Sequence, residues 1–363
     1  MSHARAETVG SFLRPDYLLS SRNDFAQGRI TATALRAVED KAIREVVAMQ
    51  QDVGLDVVTD GEFRRENWWI DFVAKLRGVE ISSGSGAVSF DRSYIPKMVR
   101  TIGKVGADGP IVVPDYRYLV SMTGRPTKVT IPSPTRMHFH GGRQSVSTQA
   151  YPDIEEFFDD IAAVYRAEIA QLEMAGCRYI QIDDPLMTYF LSPKLRAEIE
   201  ADGEKPDDRL ARYLELLNQC IASRHKDTII GIHICRGNAR SEWISEGSYE
   251  GIAEQCFGTL AADRYLLEFD DQRSGSFAPL RFMPKDKHVV LGLITTKTPQ
   301  LEDAAVVLRR LEEASRLIEM NRLAISPQCG FASVVEGNRI TEADQRAKLE
   351  LVVEIARTAW GRS

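Results

Sequence analysis

Cysteine is scarce in this chain. Its five thiols among 363 residues are an odd number without the regular spacing of a disulfide framework. Disulfide stapling is therefore excluded as the source of stability, and a reducing cytoplasm is the expected setting. Long apolar runs are missing too. None approaches the roughly 18 residues that span a bilayer, and the N-terminus lacks the charged, apolar, small-residue order of a secretory signal. Positive charge is not in excess: the net charge is -6, and Arg64-Arg65 is too short to form a basic stripe. Nucleic acid and membrane are both excluded as expected partners. The first turn, Val9-Gly10-Ser11-Phe12-Leu13-Arg14-Pro15, also lacks the glycine pattern of a dinucleotide site, which argues against an open doubly wound sheet.

What is present is a regular series of short β-branched runs ending in polar or Gly/Pro punctuation. They fall at 7–12, 55–61, 127–133, 177–183, 228–234, 264–269, 288–294 and 322–328. Most are apolar on both faces, as strands buried between a barrel interior and an outer helical layer should be. Amphipathic segments at 33–52, 154–175, 207–225, 248–260, 301–319 and 342–360 lie between them. Eight strands alternating with helices predict an α/β fold, a (β/α)8 TIM barrel. The connection from 66 to 126 is too long for a plain helix and reads as an inserted excursion between strands two and three. It holds a Gly-rich stretch at 82–87 and an extended pair around 94–105 and 111–113, and a shorter elaboration spans 184–204. No repeat or low-complexity linker divides the chain, so residues 1–363 are expected to form a single barrel domain. A homo-oligomer is compatible with this reading.

Several strands end in groups that ligate soft metals. Strand five runs into His233-Ile234-Cys235, strand six into Glu268 and strand eight into Cys329. His233 and Cys235, two apart on a strand, point to the same face. One imidazole, two thiols and a carboxylate suit zinc. Each residue alone reads more simply as packing or a strand-end ion pair, but all fall on the rim where barrel enzymes build their sites. Cys177, Cys220 and Cys256 open a strand or sit within helices and read as structural thiols.

Further motifs accompany these ligands in order along the chain: Gly54-Leu55-Asp56-Val57-Val58-Thr59-Asp60-Gly61-Glu62-Phe63, Gln181-Ile182-Asp183-Asp184-Pro185 and Pro327-Gln328-Cys329-Gly330. With Val9-Gly10-Ser11-Phe12, they resemble the catalytic half of cobalamin-independent methionine synthase and the shorter zinc-dependent thiol alkyltransferases related to it. The resemblance implies that His233, Cys235, Glu268 and Cys329 bind one Zn2+. It also implies that Glu62 and Asp183 face the amine of a homocysteine acceptor, and that the turn from Val9 to Ser11 holds its carboxylate. Three departures stand out. There is no room for the extra N-terminal barrel of the full-length synthases. The family's Ile-Asp-Glu-Pro becomes Ile182-Asp183-Asp184-Pro185. Its Asp-Ile-His-Ser-Pro stretch becomes Thr295-Thr296-Lys297-Thr298-Pro299, with Lys297 where a proton-handling histidine is expected.

The expected partners are thus a small-molecule thiol and an alkyl donor. Asp183 and Lys297 stand as candidate catalytic residues. Val9, Ser11, Glu62, Asp183, Asp184, Arg236 and Trp68 are candidate substrate contacts, with Trp68 and Trp69 offering a wall for a flat donor. His138 and His140 form a possible second constellation. Two other functions remain open. One is thiol addition to an epoxide, as in epoxyalkane:coenzyme M transferase, with Arg236 receiving the sulfonate. The other is a non-catalytic barrel that binds zinc and thiol.

Overall fold

The computed structural model describes residues 4–83 and 97–361. Strands β3 (Val129–Pro132), β4 (Tyr179–Asp183), β5 (Ile229–Ile234), β6 (Arg264–Glu268), β7 (His288–Ile294) and β8 (Leu323–Pro327) form one all-parallel sheet in sequence order. The remaining two barrel positions are occupied by nearly bare backbone. Ala6 makes a single parallel bridge to Ile325 and Val58 one to Thr127, and Asp56 N–H donates to Ala6 O at 3.0 Å, closing the ring. The protein is a TIM barrel.

Of the runs expected as full strands, 55–61 keeps only the Val58 bridge and 7–12 is preceded by a single bridge at Ala6, and side chains explain why. The Asp56 carboxylate accepts the Arg5 and Ala6 amides at 2.6 and 2.9 Å. The Gln50 carboxamide accepts Thr59 N–H at 2.9 Å and donates to Thr59 O at 2.8 Å. These side chains take the hydrogen bonds a neighbouring strand would otherwise make, so the backbone stays satisfied without a ladder.

The helices follow the apolar periodicity closely. Helix Ala32–Val53 begins at the Thr31 cap and buries Leu35, Ala42, Ile43, Val46, Val47 and Val53 on one face. Helix Glu342–Trp360 begins in a capping box between Thr341 and Asp344. The expected helix at 301–319 is shorter, Ala304–Ser315, because Asp303 caps it by accepting from Ala305 and Val306 N–H. The helix expected at 207–225 runs Pro206–Ile221.

Between the second and third barrel positions, β1 (Leu76–Ser83) pairs antiparallel with β2 (Lys97–Ala107). The extended pair was thus expected one element too late. Residues 111–113 are not a strand: the amides of Ile111 and Val112 donate to the buried Glu168 carboxylate at 2.8 and 2.7 Å and lead into helix Val113–Val120. Tyr94 and residues 84–87 of the expected excursion lie outside the described residues. The elaboration after β4 consists of a 3-10 turn, Pro185–Leu191, and helix Pro193–Ala201.

The barrel interior is layered. At the N-terminal end, Glu7 accepts from Lys128 at 3.3 Å and Tyr179 at 2.9 Å and pairs with Arg264 at 3.0 Å, all of them buried. Above them Val9, Leu266, Val290 and Ala324 form an apolar plug. The C-terminal strand ends rise above that plug. Among the described residues, no helix is long and apolar enough to cross a membrane.

Gly292 in β7 sits where a Cβ would lie 2.6 Å from Gln328 Cα and 2.9 Å from Leu267 O, both backbone atoms. Gly292→Ala should therefore destabilise the barrel by about 1–3 kcal/mol, the usual range for overpacking. Urea unfolding would measure this as a lower midpoint at unchanged slope.

Candidate metal centre and substrate cleft

β5, β6 and β8 deliver their ends to the same rim. The donor atoms of His233, Cys235 and Cys329 lie within 4.8 Å of one another, and all three residues are buried. His233 Nδ1 lies 3.2 Å from the Leu266 carbonyl, so it carries the proton and donates. Nε2 is buried without a hydrogen-bond partner. An imidazole with a fixed tautomer and an orphaned lone pair beside two sulfurs is a donor set that fits zinc.

The protonation pattern agrees. The Cys329 thiol is pushed well below the usual range, first by the hydrogen bond from Cys235 and then, against burial, by His233. Cys235 is pushed well above it, by that same hydrogen bond and by burial. The two thiols are thus driven apart in acidity, and a bound cation would favour the thiolate form of both.

Glu268, the fourth ligand implied by the resemblance, is not part of this group. Its side chain is fully buried, but Oε2 accepts Arg236 N–H at 2.8 Å, while Oε1 faces Arg273 at 2.9 Å and Lys297 at 3.6 Å. Burial would raise the pKa of this carboxyl, but Lys297, Arg273 and Arg236 outweigh it and hold the group ionised below the usual range.

The three donors lie in the wall of a cleft of about 860 Å³, open to solvent at its mouth. Val9, Ser11, Glu62, Trp68, Trp69, Asp183 and His140 line it as well. Glu62 sits in the left-handed region at φ 60°, a strained conformation for a non-glycine residue. Its Oε1 accepts from Thr130 Oγ1 at 2.8 Å, and its Oε2 is 3.6 Å from Arg65. Asp183 accepts from Gln181 at 2.6 Å. Its carboxyl is raised to about 7, first by burial, with His233 lowering it and Glu62 raising it further. Ser11 is pressed against the loop after Cys329: a Cβ on Gly330 would lie 2.0 Å from Ser11 Oγ.

Other candidates are placed elsewhere. Asp184 does not line the cleft; its carboxylate accepts from Ser133 at 2.6 Å, Thr135 at 3.1 Å and Leu186 N–H at 3.1 Å, capping the 3-10 turn. Neighbouring strand residues face opposite ways, so Asp183 and Asp184 cannot both face inward. Arg236 is likewise structural. It donates to the carbonyls of Gly247, Glu268 and Ser274 and lies over Tyr249 at 4.2 Å, so it cannot reach a sulfonate in the cleft. Lys297 is buried behind Glu268 and does not line the cleft. His138 packs against Phe157 and Phe158 and pairs with Tyr213 Oη at 2.9 Å, away from its companion His140. Cys177, Cys220 and Cys256 are buried thiols whose pKa is raised by burial, Cys177 to about 12.

The cleft also holds residues that sequence reasoning passed over. Arg136 lies over the Trp69 ring at 4.0 Å, and Asn238 donates to Gly330 O at 2.7 Å. Asn238 follows three residues after Cys235, close enough to the strand end to be suspected. Nothing in the sequence marks Arg136.

The profile of the family described as "Cobalamin-independent synthase, Catalytic domain" matches residues 5–358. The chain belongs to this family. Within it, the chain is 41% identical over 359 residues to the uncharacterized protein YxjH of Bacillus subtilis (strain 168), covering 98% of this chain and 94% of that one. A 5-methyltetrahydropteroyltriglutamate–homocysteine methyltransferase of Candida albicans is 26% identical over 89% of this chain, but the match spans 39% of that relative's length. A Listeria monocytogenes structure assigned as a vitamin-B12-independent methionine synthase superposes with TM-score 0.79 at 35% identity, covering 99% of this chain and 98% of that one. A B12-independent methionine synthase from Shewanella sp. W3-18-1, solved with selenomethionine, shares the fold at TM-score 0.74 and 21% identity, covering 98% and 97%.

The buried histidine outside the cleft has a measurable consequence. Burial lowers the His138 pKa to about 4 from the usual 6.5. Between those values the unfolded chain binds a proton that the folded chain does not, so stability falls as pH drops through this window. From pH 7 to pH 5 the loss from this group should be about 2 kcal/mol. His138→Asn should remove that part of the acid sensitivity, which urea midpoints at the two pH values would show.

Proposed function

We propose that this protein is a zinc-dependent S-methyltransferase that methylates the thiol of homocysteine to give methionine, with a methylfolate or another methyl donor. The observation that carries this reading is the convergence of His233, Cys235 and Cys329 in one cleft with Glu62 and Asp183. His233, Cys235 and Cys329 would hold the zinc. The ion supplies a deprotonated, electron-rich substrate sulfur at neutral pH, where a free thiol is only a few per cent thiolate.

The chain's own residues do the rest. Glu62 and Asp183 present carboxylates to the substrate ammonium, and Glu62 is kept in place by Thr130 and Arg65. Ser11 and the Val9 backbone lie where the substrate carboxylate would be received. Trp68 and Trp69 wall the outer cleft on the donor side. Transfer forms an S–C bond from the sulfur lone pair and breaks the donor's bond to methyl, and that electron pair stays with the donor. The pairing of acidic ammonium contacts with soft-donor residues favours homocysteine over coenzyme M, which has no ammonium. Arg136 is the cleft arginine a sulfonate would meet, so coenzyme M belongs in the test.

Purified wild-type protein should carry stoichiometric zinc, and Cys235→Ser should lose most of it. Homocysteine with methyltetrahydrofolates or other methyl donors should yield methionine by mass spectrometry. Thioether formation only from coenzyme M and an epoxide would overturn the methyltransferase reading. Full zinc occupancy with no product from any pair would instead favour a binding barrel.

A further inference from the structure

We propose that the Tyr189 hydroxyl, in the field of Arg136, receives an anionic oxygen of the alkyl donor, so that the donor is an anion rather than a cation such as a sulfonium or a betaine. The inference rests on the methyltransferase reading above and names the class of its second substrate.

The cleft is divided by charge. Among the described residues of its lining, the carboxylates are Glu62 and Asp183 and the cations are Lys97 and Arg136. The carboxylates suit the acceptor's ammonium. Lys97 is partly exposed and pairs with Glu66 at 2.7 Å. Arg136 is the buried cation, with its guanidinium over the Trp69 ring at 4.0 Å and Nη2 donating to Lys97 O at 3.0 Å. A guanidinium set on an indole face keeps its charge and repels a second cation.

Tyr189 brings a hydrogen-bond donor to the same cleft. It belongs to the 3-10 turn after β4, is buried, and lines the cavity. Its hydroxyl has no hydrogen-bond partner among the described residues, yet it is not one of the sealed polar atoms, so it opens onto the cleft. The ring is braced: Phe139 meets it edge-on at 5.7 Å and meets His140 the same way at 4.9 Å.

Tyr189 lies within electrostatic reach of Arg136 and of both Cys235 and Cys329. A donor held by its hydroxyl is therefore kept near the sulfurs. Asp184 also acts on Tyr189, but it does not line the cleft and is held by Ser133 and Thr135. Burial keeps the phenol protonated, and burial with Arg136 keeps His140 uncharged, at about 3. A fixed O–H beside a buried guanidinium is the recognition chemistry of a carboxylate or phosphate oxygen.

The test is equilibrium binding read by quenching of tryptophan fluorescence, since Trp68 and Trp69 line the cleft. Four probes share one flat ring: benzoate, phenyl phosphate, neutral benzamide and cationic phenyltrimethylammonium. Each is titrated into the purified protein with and without homocysteine. The tighter of the two anions should bind about tenfold better than benzamide in both conditions, and the ammonium probe should not bind. Which anion binds tighter tells carboxylate from phosphate. Tyr189→Phe keeps the ring on Phe139 and should cut the preference for anion over benzamide about fivefold, with benzamide binding unchanged. Arg136→Gln should abolish the preference.

Equal binding of anions and benzamide, or a Tyr189→Phe preference equal to wild type, would overturn the inference. So would displacement of the anion by homocysteine, which would give this wall to the acceptor. A protein that binds no homocysteine but keeps a Tyr189-dependent anion preference overturns the homocysteine reading instead and leaves the anion site standing.

Discussion

Negative charge buried at one end of the barrel governs everything built there. Glu62 and Asp183 line the same cleft as two thiols, and Glu268 and Asp270 keep their carboxylates buried nearby. Burial raises the cost of ionising Asp183, which is pushed to about 7. Arg65 serves Glu62 and Thr130, while Arg273 and Lys297 serve Glu268 and Asp270. On the sulfur side Cys329 is held down by Cys235, His233 and Lys297. A divalent cation bound there would add positive charge where two thiols and buried carboxylates converge.

The layered interior makes this arrangement tolerable. The polar cluster around Glu7 closes the opposite end, and the plug of Val9, Leu266, Val290 and Ala324 separates the two charged regions. Electrostatic strain at the rim is thereby kept apart from the charge pairs at the base. The cleft combines the acidic Glu62 and Asp183 with the aromatic Trp68 and Trp69 in one lining.

How far the sequence could be read depended on which physical rule was in play. Strand and helix positions followed from periodicity, and His233, Cys235 and Cys329 from their places at strand ends. The same geometry warned against Asp184 and Arg236, since residues adjacent to inward-facing ones point outward. Their charge alone suggests substrate contacts, and their register decides otherwise. Glu268 was recognisable as a strand-end carboxylate, but its turn toward Arg273 and Lys297 depends on loops far apart in sequence. The two missing strands were hidden for a similar reason: a side-chain amide such as Gln50 imitates a backbone neighbour, and no propensity records it.

The contact between Ser11 and Gly330 joins the first strand position to the loop after the last. The Ala6–Ile325 bridge joins the same first position to β8 itself. Until β8 has been made and has docked, the cleft has neither its floor nor Cys329. Contacts of such long sequence separation form slowly. During synthesis the N-terminal part of the barrel must wait, unclosed, for the last strand to leave the ribosome. A metal held by all three donors would therefore need the closed barrel.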